Sequence, residues 1–265
     1  LSEKISDWTL LSVINSSLYH SLFLSLTPDR TWGQGDVGRI PWLKQFEEMS
    51  RLEKIGKQQY RRLVNNDLYN PTSPYYVAPG LVPVEYLDGY FFEESSLLDA
   101  ETVSEEISSF YGPRERSINE QAREVEKQIR QNRAEVERLS DEIDDLIYEK
   151  LEISEAAQSE IRDEIFLRTV ESPEDREVPD PDSIPEVPEN LGTQVKDLVH
   201  HFAMKAVREE DDGIVPLHAV DNQPNMLDRI VERFEDAYGE HADDRLIEVD
   251  EILGAESATE EAYPN

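Results

Sequence analysis

The chain has 265 residues and a formal net charge of −33 at pH 7, from 59 acidic and 26 basic side chains. It has no cysteine, which excludes disulfides, thiolate nucleophiles and cysteine-ligated zinc. Two interpretations of the charge are open: an acidic tail for basic partners, or adaptation of the whole surface to high salt, where repulsion is screened. The acidic residues spread over most of the chain, which favours the halophilic interpretation. We expect a cytoplasmic protein.

The densest apolar pattern lies in residues 7–43. Apolar side chains recur there at three- and four-residue steps, which predicts one helix capped by Asp7 and ending near Leu26. The apolar run Leu10–Leu26 is too short and too polar to span a membrane, which needs about 20 mostly apolar residues. Pro28 ends the predicted helix, a turn follows at Gly33, Gly35 and Gly38, and residues 40–42 (Ile-Pro-Trp) are predicted to be extended.

Residues 42–64 are predicted to form a second helix, and it is locally basic. Residues 1–62 hold 9 of the 26 basic and 7 of the 59 acidic side chains, which leaves 17 basic and 52 acidic residues for the remainder. Contact with phosphates is one reason for a region to carry fewer acidic residues than the rest of the chain. An ordinary solvated helix face, paired with its own glutamates, is the alternative. The candidate phosphate-binding residues are Lys44, Arg51, Lys54, Lys57, Arg61 and Arg62.

A long helix is predicted after residue 117. Ser117-Ile118-Asn119-Glu120 has the form of a capping box, and four heptads of apolar side chains follow to about Leu151. This pattern is typical of a coiled-coil hairpin or of a long helix against a partner helix. Asn132 stands alone in the apolar seam, where we expect it to set register.

The predicted fold is mainly α, with no extended structure beyond the short segment near Pro41. It comprises the N-terminal helix with that segment, the long coiled-coil-like helix, and a small helical unit at the C-terminal end. The predicted regions are 1–64, a Pro/Tyr-rich connector at 65–116, a helical spacer at 117–170, an acidic Pro-rich linker at 171–190, a helical unit at 191–254 and a disordered tail at 255–265.

No stretch of the sequence predicts an active site or a metal site. His200 and His201 are adjacent on a predicted helix, so their rings point in different directions. The segment from Asn70 to Tyr75 contains Asn, Pro and Tyr but lacks the order of the Asn-Pro-Pro-Tyr loop of amino-methyltransferases.

The opening stretch resembles the end of the target-recognition region of large adenine-specific DNA methyltransferases. These include the BREX phage-exclusion enzymes and fused restriction–modification enzymes. The resemblance is carried by a leucine-rich helix with Asn15-Ser16, a break at Pro28, the aromatic Trp32, then Gly35-Asp36-Val37 and Ile40-Pro41. Later stretches are similar to the family in the same order, namely EIDDLIYEKLEISEAAQSEI, QVKDLVHHFAMKAVREEDDGIVPL and LDRIVERFEDAYGEHADDRLIEVDEILG. The chain departs from the pattern at residues 201–204 and 70–76.

The resemblance implies the C-terminal portion of such an enzyme, of halophilic archaeal type. The S-adenosylmethionine-binding domain and catalytic loop would precede Leu1, so we expect neither cofactor binding nor catalysis from this chain by itself. The implied partners are double-stranded DNA and other defence-system subunits, with no membrane. Arg30, Gln34 and Arg39 are the candidates for base-edge contacts, since such side chains pair with bases in the groove. Some of the residues that pack against the first helix would also precede Leu1, and we therefore expect this helix to be unusually exposed.

A second hypothesis belongs to a different class of protein. The long helix over residues 117–151 would make a free-standing coiled-coil interaction protein, pairing with itself or with a partner.

Overall fold

A computed structural model of the chain describes residues 5–26, 41–87, 110–169, 180, 183–188, 190–210, 212–218 and 223–261. It is mainly helical, as predicted, and these ranges contain no β-strand. The α-helices are α1 Asp7–Ile14, α2 Ser17–Leu26, α3 Ser50–Asp67, α4 Ile118–Leu151, α5 Glu155–Thr169, α6 Leu191–Glu209, α7 Met226–Tyr238 and α8 Ala242–Glu261. Short 3₁₀ helices lie at Lys44–Glu48, Val84–Leu87 and Gly239–His241.

The chain divides into two compact units. The first unit comprises residues 1–64 and 131–179, and the second comprises residues 65–130 and 180–265. Helix α4 therefore contributes its N-terminal part to the second unit and its C-terminal part to the first. Within the described ranges, no single helix is long and apolar enough to cross a membrane, and only the bent pair α1–α2 passes that test of length and composition.

The prediction of one helix from Asp7 to Leu26 is wrong. The axis bends by 66° between α1 and α2, because Ser16 starts a new helix: its hydroxyl donates to the Val13 carbonyl (2.7 Å) and accepts from the Tyr19 amide (3.4 Å). The cap of α1 is Ser6 rather than Asp7, since the Ser6 hydroxyl accepts from the Trp8 amide. The Asn-Ser pair thus replaces a straight helix by two short ones.

The core of the first unit covers these helices well. Val13, Tyr19 and Phe23 are no more than 3 % exposed, so the expectation of an unusually exposed first helix is wrong for these side chains. They pack with Phe46, with α3 and with the C-terminal half of α4, where the buried side chains are Leu52, Ile55, Leu139, Ile143 and Ile147. Leu26, at the end of α2, is 44 % exposed.

The core of the second unit is larger. The start of α4 contributes Ile118 and Ala122, and Val125 packs nearby against Gly80. Helices α6, α7 and α8 pack together over an aromatic centre formed by Phe202, Phe234 and Tyr238. The Tyr238 hydroxyl donates to the Leu81 carbonyl (2.8 Å), which ties the connector to α7. Helix α8 continues to Glu261, beyond the end predicted at Gly254.

The apolar seam of α4 lies inside these cores. Ile118, Ala122, Val125, Leu139 and Ile143 are all buried. The Asn132 side chain is also buried, 4 % exposed, and its carbonyl oxygen accepts from Arg62. The heptad pattern therefore marks the face of α4 that packs against other parts of the same chain.

Candidate nucleic-acid interface

Helix α3 packs in the first unit by the side opposite most of its basic residues. The buried side chains that pack in this unit include Leu52, Ile55 and Gln59. The Ser12 hydroxyl donates to the Leu52 carbonyl (2.8 Å), and the Gln59 amide donates to the Ser140 hydroxyl (2.6 Å). These bonds fix the rotation of α3 about its axis.

The closest approach of α3 to α1 occurs at Gly56. A Cβ atom at this position would lie 2.2 Å from the Ser12 hydroxyl oxygen and 2.7 Å from the Trp8 carbonyl oxygen. The two backbones can therefore be this close only because residue 56 has no side chain. The rings of Trp8 and Tyr60, 5.2 Å apart, pack beside this contact.

The basic residues of α3 share one side of the helix. At about 100° per residue, they fall within an arc of about 140°. They are Arg51, Lys54, Lys57, Arg61 and Arg62. Lys44 precedes them in the 3₁₀ helix and is exposed. We call these six side chains the basic face.

Three lysines of the basic face have no ion-pair partner among the described residues. Lys44 and Lys54 are exposed, and Lys57 is half-buried. An unpaired ammonium group at the surface can exchange its counterions for a phosphate at little cost, because no internal ion pair has to be broken. These three lysines are the part of the basic face best placed for phosphates.

Arg51 has an internal partner. Its Nε donates to Glu142 at 2.8 Å, and its guanidinium also forms an ion pair with the same carboxylate. The hydrogen bond from Arg51 lowers the pKa of the Glu142 carboxyl, and Arg138 adds to the effect. A phosphate at Arg51 would therefore compete with Glu142.

Arg62 lies beside the same acidic stretch of α4. Its Nη1 is 3.4 Å from the Asn132 amide oxygen. The pKa of Glu135 is lowered, mainly by its hydrogen bond with Arg138 and in small part by the charge of Arg62. The Arg61 side chain is half-buried. No role could be predicted from the sequence for Glu135 or Glu142, because α3 and α4 are far apart in the chain.

The candidate base-edge residues Arg30, Gln34 and Arg39 lie outside the described residues. The chain leaves α2 at Leu26 and is described again at Pro41, whose carbonyl accepts a hydrogen bond from the Tyr19 hydroxyl (2.7 Å). The Trp42 ring packs edge-on against Phe46, with centroids 5.6 Å apart. Pro41 and Trp42, which follow this segment, are thus anchored close to Lys44 in the chain.

Two other candidates from the sequence, the segment that begins at Asn70 and the residue His201, make defined contacts in the structure. The Asn70 side-chain oxygen Oδ1 accepts from the Thr72 amide and hydroxyl, which makes residues 70–72 a side-chain-capped turn. His201 is partly buried near Tyr76, whose hydroxyl is 3.3 Å from the His201 Nδ1. Burial, then the charges of Lys205 and Arg208, lower the pKa of His201 to about 4. The part of the chain that the structure describes contains no group of three His, Asp or Glu side chains arranged to hold a metal ion.

Comparison with protein families, with curated proteins and with solved structures gives no match to this chain.

Proposed function

We propose that this chain is the DNA-recognition and scaffold portion of an adenine-specific (N6) DNA methyltransferase of a phage-defence or restriction–modification system. The observation that carries the proposal is the basic face: three lysines without ion-pair partners among the described residues, in a chain whose net charge is −33. The sequence resemblance to the BREX-type enzymes supplies the reaction class.

In this proposal the basic face contacts the phosphates of duplex DNA. Lys44, Lys54 and Lys57 bind directly, and the remaining residues contribute as their internal contacts allow. Phosphate contacts position the protein, whereas base contacts specify the sequence. We assign the base contacts to Arg30, Gln34 and Arg39, in the segment that precedes Lys44 in the chain.

The methyl transfer itself would take place elsewhere in the enzyme. The parent family flips the target adenine out of the duplex and uses S-adenosylmethionine as methyl donor. The family's catalytic loop is not among these 265 residues. The acidic surface of the rest of the chain suits a cytoplasm of high salt, where other subunits of the defence system would be its protein partners.

The alternative, a free-standing coiled-coil protein, is less well supported. Its seam would have to be available for pairing, yet Ile118 and Ala122 are buried in the core of the second unit, and Leu139 and Ile143 are buried in the core of the first. Pairing through this seam would require both cores to open, which would expose many other apolar side chains.

Charge reversal on α3 tests the proposal. We expect Lys54→Glu with Lys57→Glu to weaken binding of the 265-residue chain to duplex DNA by about 30-fold or more, since each contact adds to a common electrostatic affinity. Fluorescence anisotropy of a labelled duplex measures the affinity, and circular dichroism checks that the variant is folded.

Lys150→Glu is the control for a single Lys54→Glu change. Lys150 is exposed near the end of α4, in the same unit but on another helix. The two variants have the same net charge, so a purely global electrostatic effect would weaken binding equally. Equal weakening, or undiminished binding by the double variant, would refute the assignment of phosphate contacts to the basic face.

A further inference from the structure

The second unit contains a groove that the proposed DNA contacts do not use. Its volume is about 610 Å³, within the range of protein ligand sites. Its walls come from the start of α4, from residues 187, 188, 191 and 192, and from α8. The apolar part of the lining is formed by Val187, Pro188, Leu191 and Ile252.

The apolar wall is open to solvent on one side. The Val187 side chain is 58 % exposed beside Leu191. The ring of Pro188 fixes the φ angle of the residue that follows Val187. An apolar group seated here would remove Val187 from water.

The polar part of the lining is formed by Ser117, Asn119, Glu248 and Glu251. The described residues that line the groove include no lysine or arginine. Glu248 has internal partners, since its carboxylate accepts from the Ile118 amide (2.6 Å) and pairs with Arg245. Glu251 is exposed and has no ion-pair partner among the described residues. It is therefore a carboxylate available to a cation.

Asn119 adds a further acceptor. Its side-chain nitrogen donates to the Glu186 carbonyl (3.3 Å), which orients the amide. Its side-chain oxygen is buried and accepts no hydrogen bond. A buried acceptor without a donor is unfavourable, and a donor from a bound group would satisfy it. The lining thus combines an apolar wall with acceptors that call for a positively charged donor.

We propose that this groove binds a segment of another protein that presents an apolar side chain next to lysine or arginine. The apolar side chain packs against Val187, Leu191 and Ile252, and the cation pairs with Glu251. A second copy of this chain is a poor occupant, because two copies that each carry a net charge of −33 repel one another.

Two short synthetic peptides probe the groove. In the first, leucine alternates with lysine; in the second, serine replaces each leucine, so that the charge is the same. We expect the full chain to bind the leucine peptide at least about tenfold more tightly in moderate salt, where exposed charges are screened. Fluorescence anisotropy measures both affinities.

Two variants locate the binding. Val187→Glu makes the groove more negative, so it would strengthen a purely electrostatic attraction, whereas we expect it to weaken the leucine peptide about tenfold or more through loss of the apolar contact. Leu217→Glu is the matched control, because Leu217 is 74 % exposed in the same unit and does not line the groove. We expect Leu217→Glu to bind like the unmodified chain, and Glu251→Gln to bind about threefold more weakly.

The proposal is overturned by any of three results: equal affinity for the two peptides, equal effects of Val187→Glu and Leu217→Glu, or no binding of the leucine peptide. Light scattering measures the molar mass of the chain in solution and therefore tests whether a second copy occupies the groove. A dimer that Val187→Glu converts to a monomer would also overturn the proposal, since the groove would then be a self-association surface.

Discussion

Helices α3 and α8 are of similar length, 18 and 20 residues, but place charge in opposite ways. Helix α3 has five basic and two acidic residues, and three lysines of the basic face (Lys44 precedes the helix) have no ion-pair partner among the described residues. Helix α8 has one basic residue, Arg245, and eight acidic ones. Its Glu248 holds the start of α4, and its Glu251 lies on the groove. In the proposed function the unpaired lysines of the basic face contact an external anion, whereas the single basic side chain of α8 pairs within the fold.

The largest expected effect comes from removing that single basic side chain. Arg245 is buried, 6 % exposed; its guanidinium pairs with Glu248 and donates to the Glu115 carbonyl (3.1 Å). We expect Arg245→Ala to lower the free energy of unfolding by about 3 kcal/mol, because a partly buried carboxylate loses its partner. Urea denaturation measures the change.

Arg229→Ala is the control for this variant. Arg229 also pairs with carboxylates, Glu210 and Glu232, but 28 % of its side chain is exposed. We expect its loss to cost under about 1 kcal/mol. If the two variants were equally destabilised, Arg245 would have no special structural role.

The next effect tests how α3 is held. Gly56→Ala places a methyl group against Ser12 and the Trp8 carbonyl, and we expect a loss of about 2 kcal/mol in unfolding free energy from the forced separation of α1 and α3. Gly254→Ala in α8 is the counterpart, since a Cβ there meets nothing within 4 Å. It should stabilise α8 by up to about 1 kcal/mol through helix propensity. Thermal unfolding compares the two, and a stabilising Gly56→Ala would contradict the close approach.

Acid sensitivity gives a smaller, pH-dependent effect in the second unit. The pKa of His201 is lowered to about 4 in the folded chain, chiefly by burial, whereas an unfolded histidine has a pKa near 6.5. Between these values the unfolded chain binds the additional proton, so this contribution to stability is present above about pH 6.5 and is lost as the pH falls towards 4.

His201→Gln should therefore reduce the loss of thermal stability between pH 7 and pH 4.5. His200→Gln changes the same residue type at an exposed neighbouring position and serves as the control. An unchanged acid dependence in His201→Gln would show that His201 is not held neutral by the fold.

The smallest expected effect concerns the ion pair between Arg51 of the basic face and Glu142. Glu142→Gln removes the carboxylate that holds Arg51, so we expect duplex DNA binding to rise about twofold while stability falls by under about 1 kcal/mol. Glu149→Gln changes an exposed carboxylate of the same helix by the same charge. If both variants raised DNA binding equally, Arg51 would not be released by the loss of Glu142.

Much of the fold could be predicted from the sequence. The start of α4 follows from its capping box, in which Ser117 and Glu120 exchange hydrogen bonds. The basic helix was predicted over residues 42–64, where the structure has the 3₁₀ helix Lys44–Glu48 followed by α3. The bend at Ser16 was missed because leucines continue at helical spacing on both sides of it. The use of Ser6 as the cap depends on which hydroxyl reaches the Trp8 amide, which spacing alone does not decide.

The candidate sites differ in how far the sequence could predict them. The basic face is local, so a count of charges along one helix is enough to find it. The α4 partners of Arg51 and Arg62 are the Glu142 carboxylate and the Asn132 amide, 91 and 70 residues away in sequence, and these contacts were missed. The groove was missed for the same reason, since Asn119, Val187 and Glu251 converge only through tertiary packing.

The salt dependence of DNA binding tests the central claim most directly. The affinity of the 265-residue chain for duplex DNA is measured over a range of salt concentrations. Three lysines that each neutralise one phosphate predict a slope of about −3 in log K against log salt, and the Lys54→Glu, Lys57→Glu variant should reduce this slope by about 2. No measurable binding, or a slope of zero, would contradict a phosphate-binding role for the basic face.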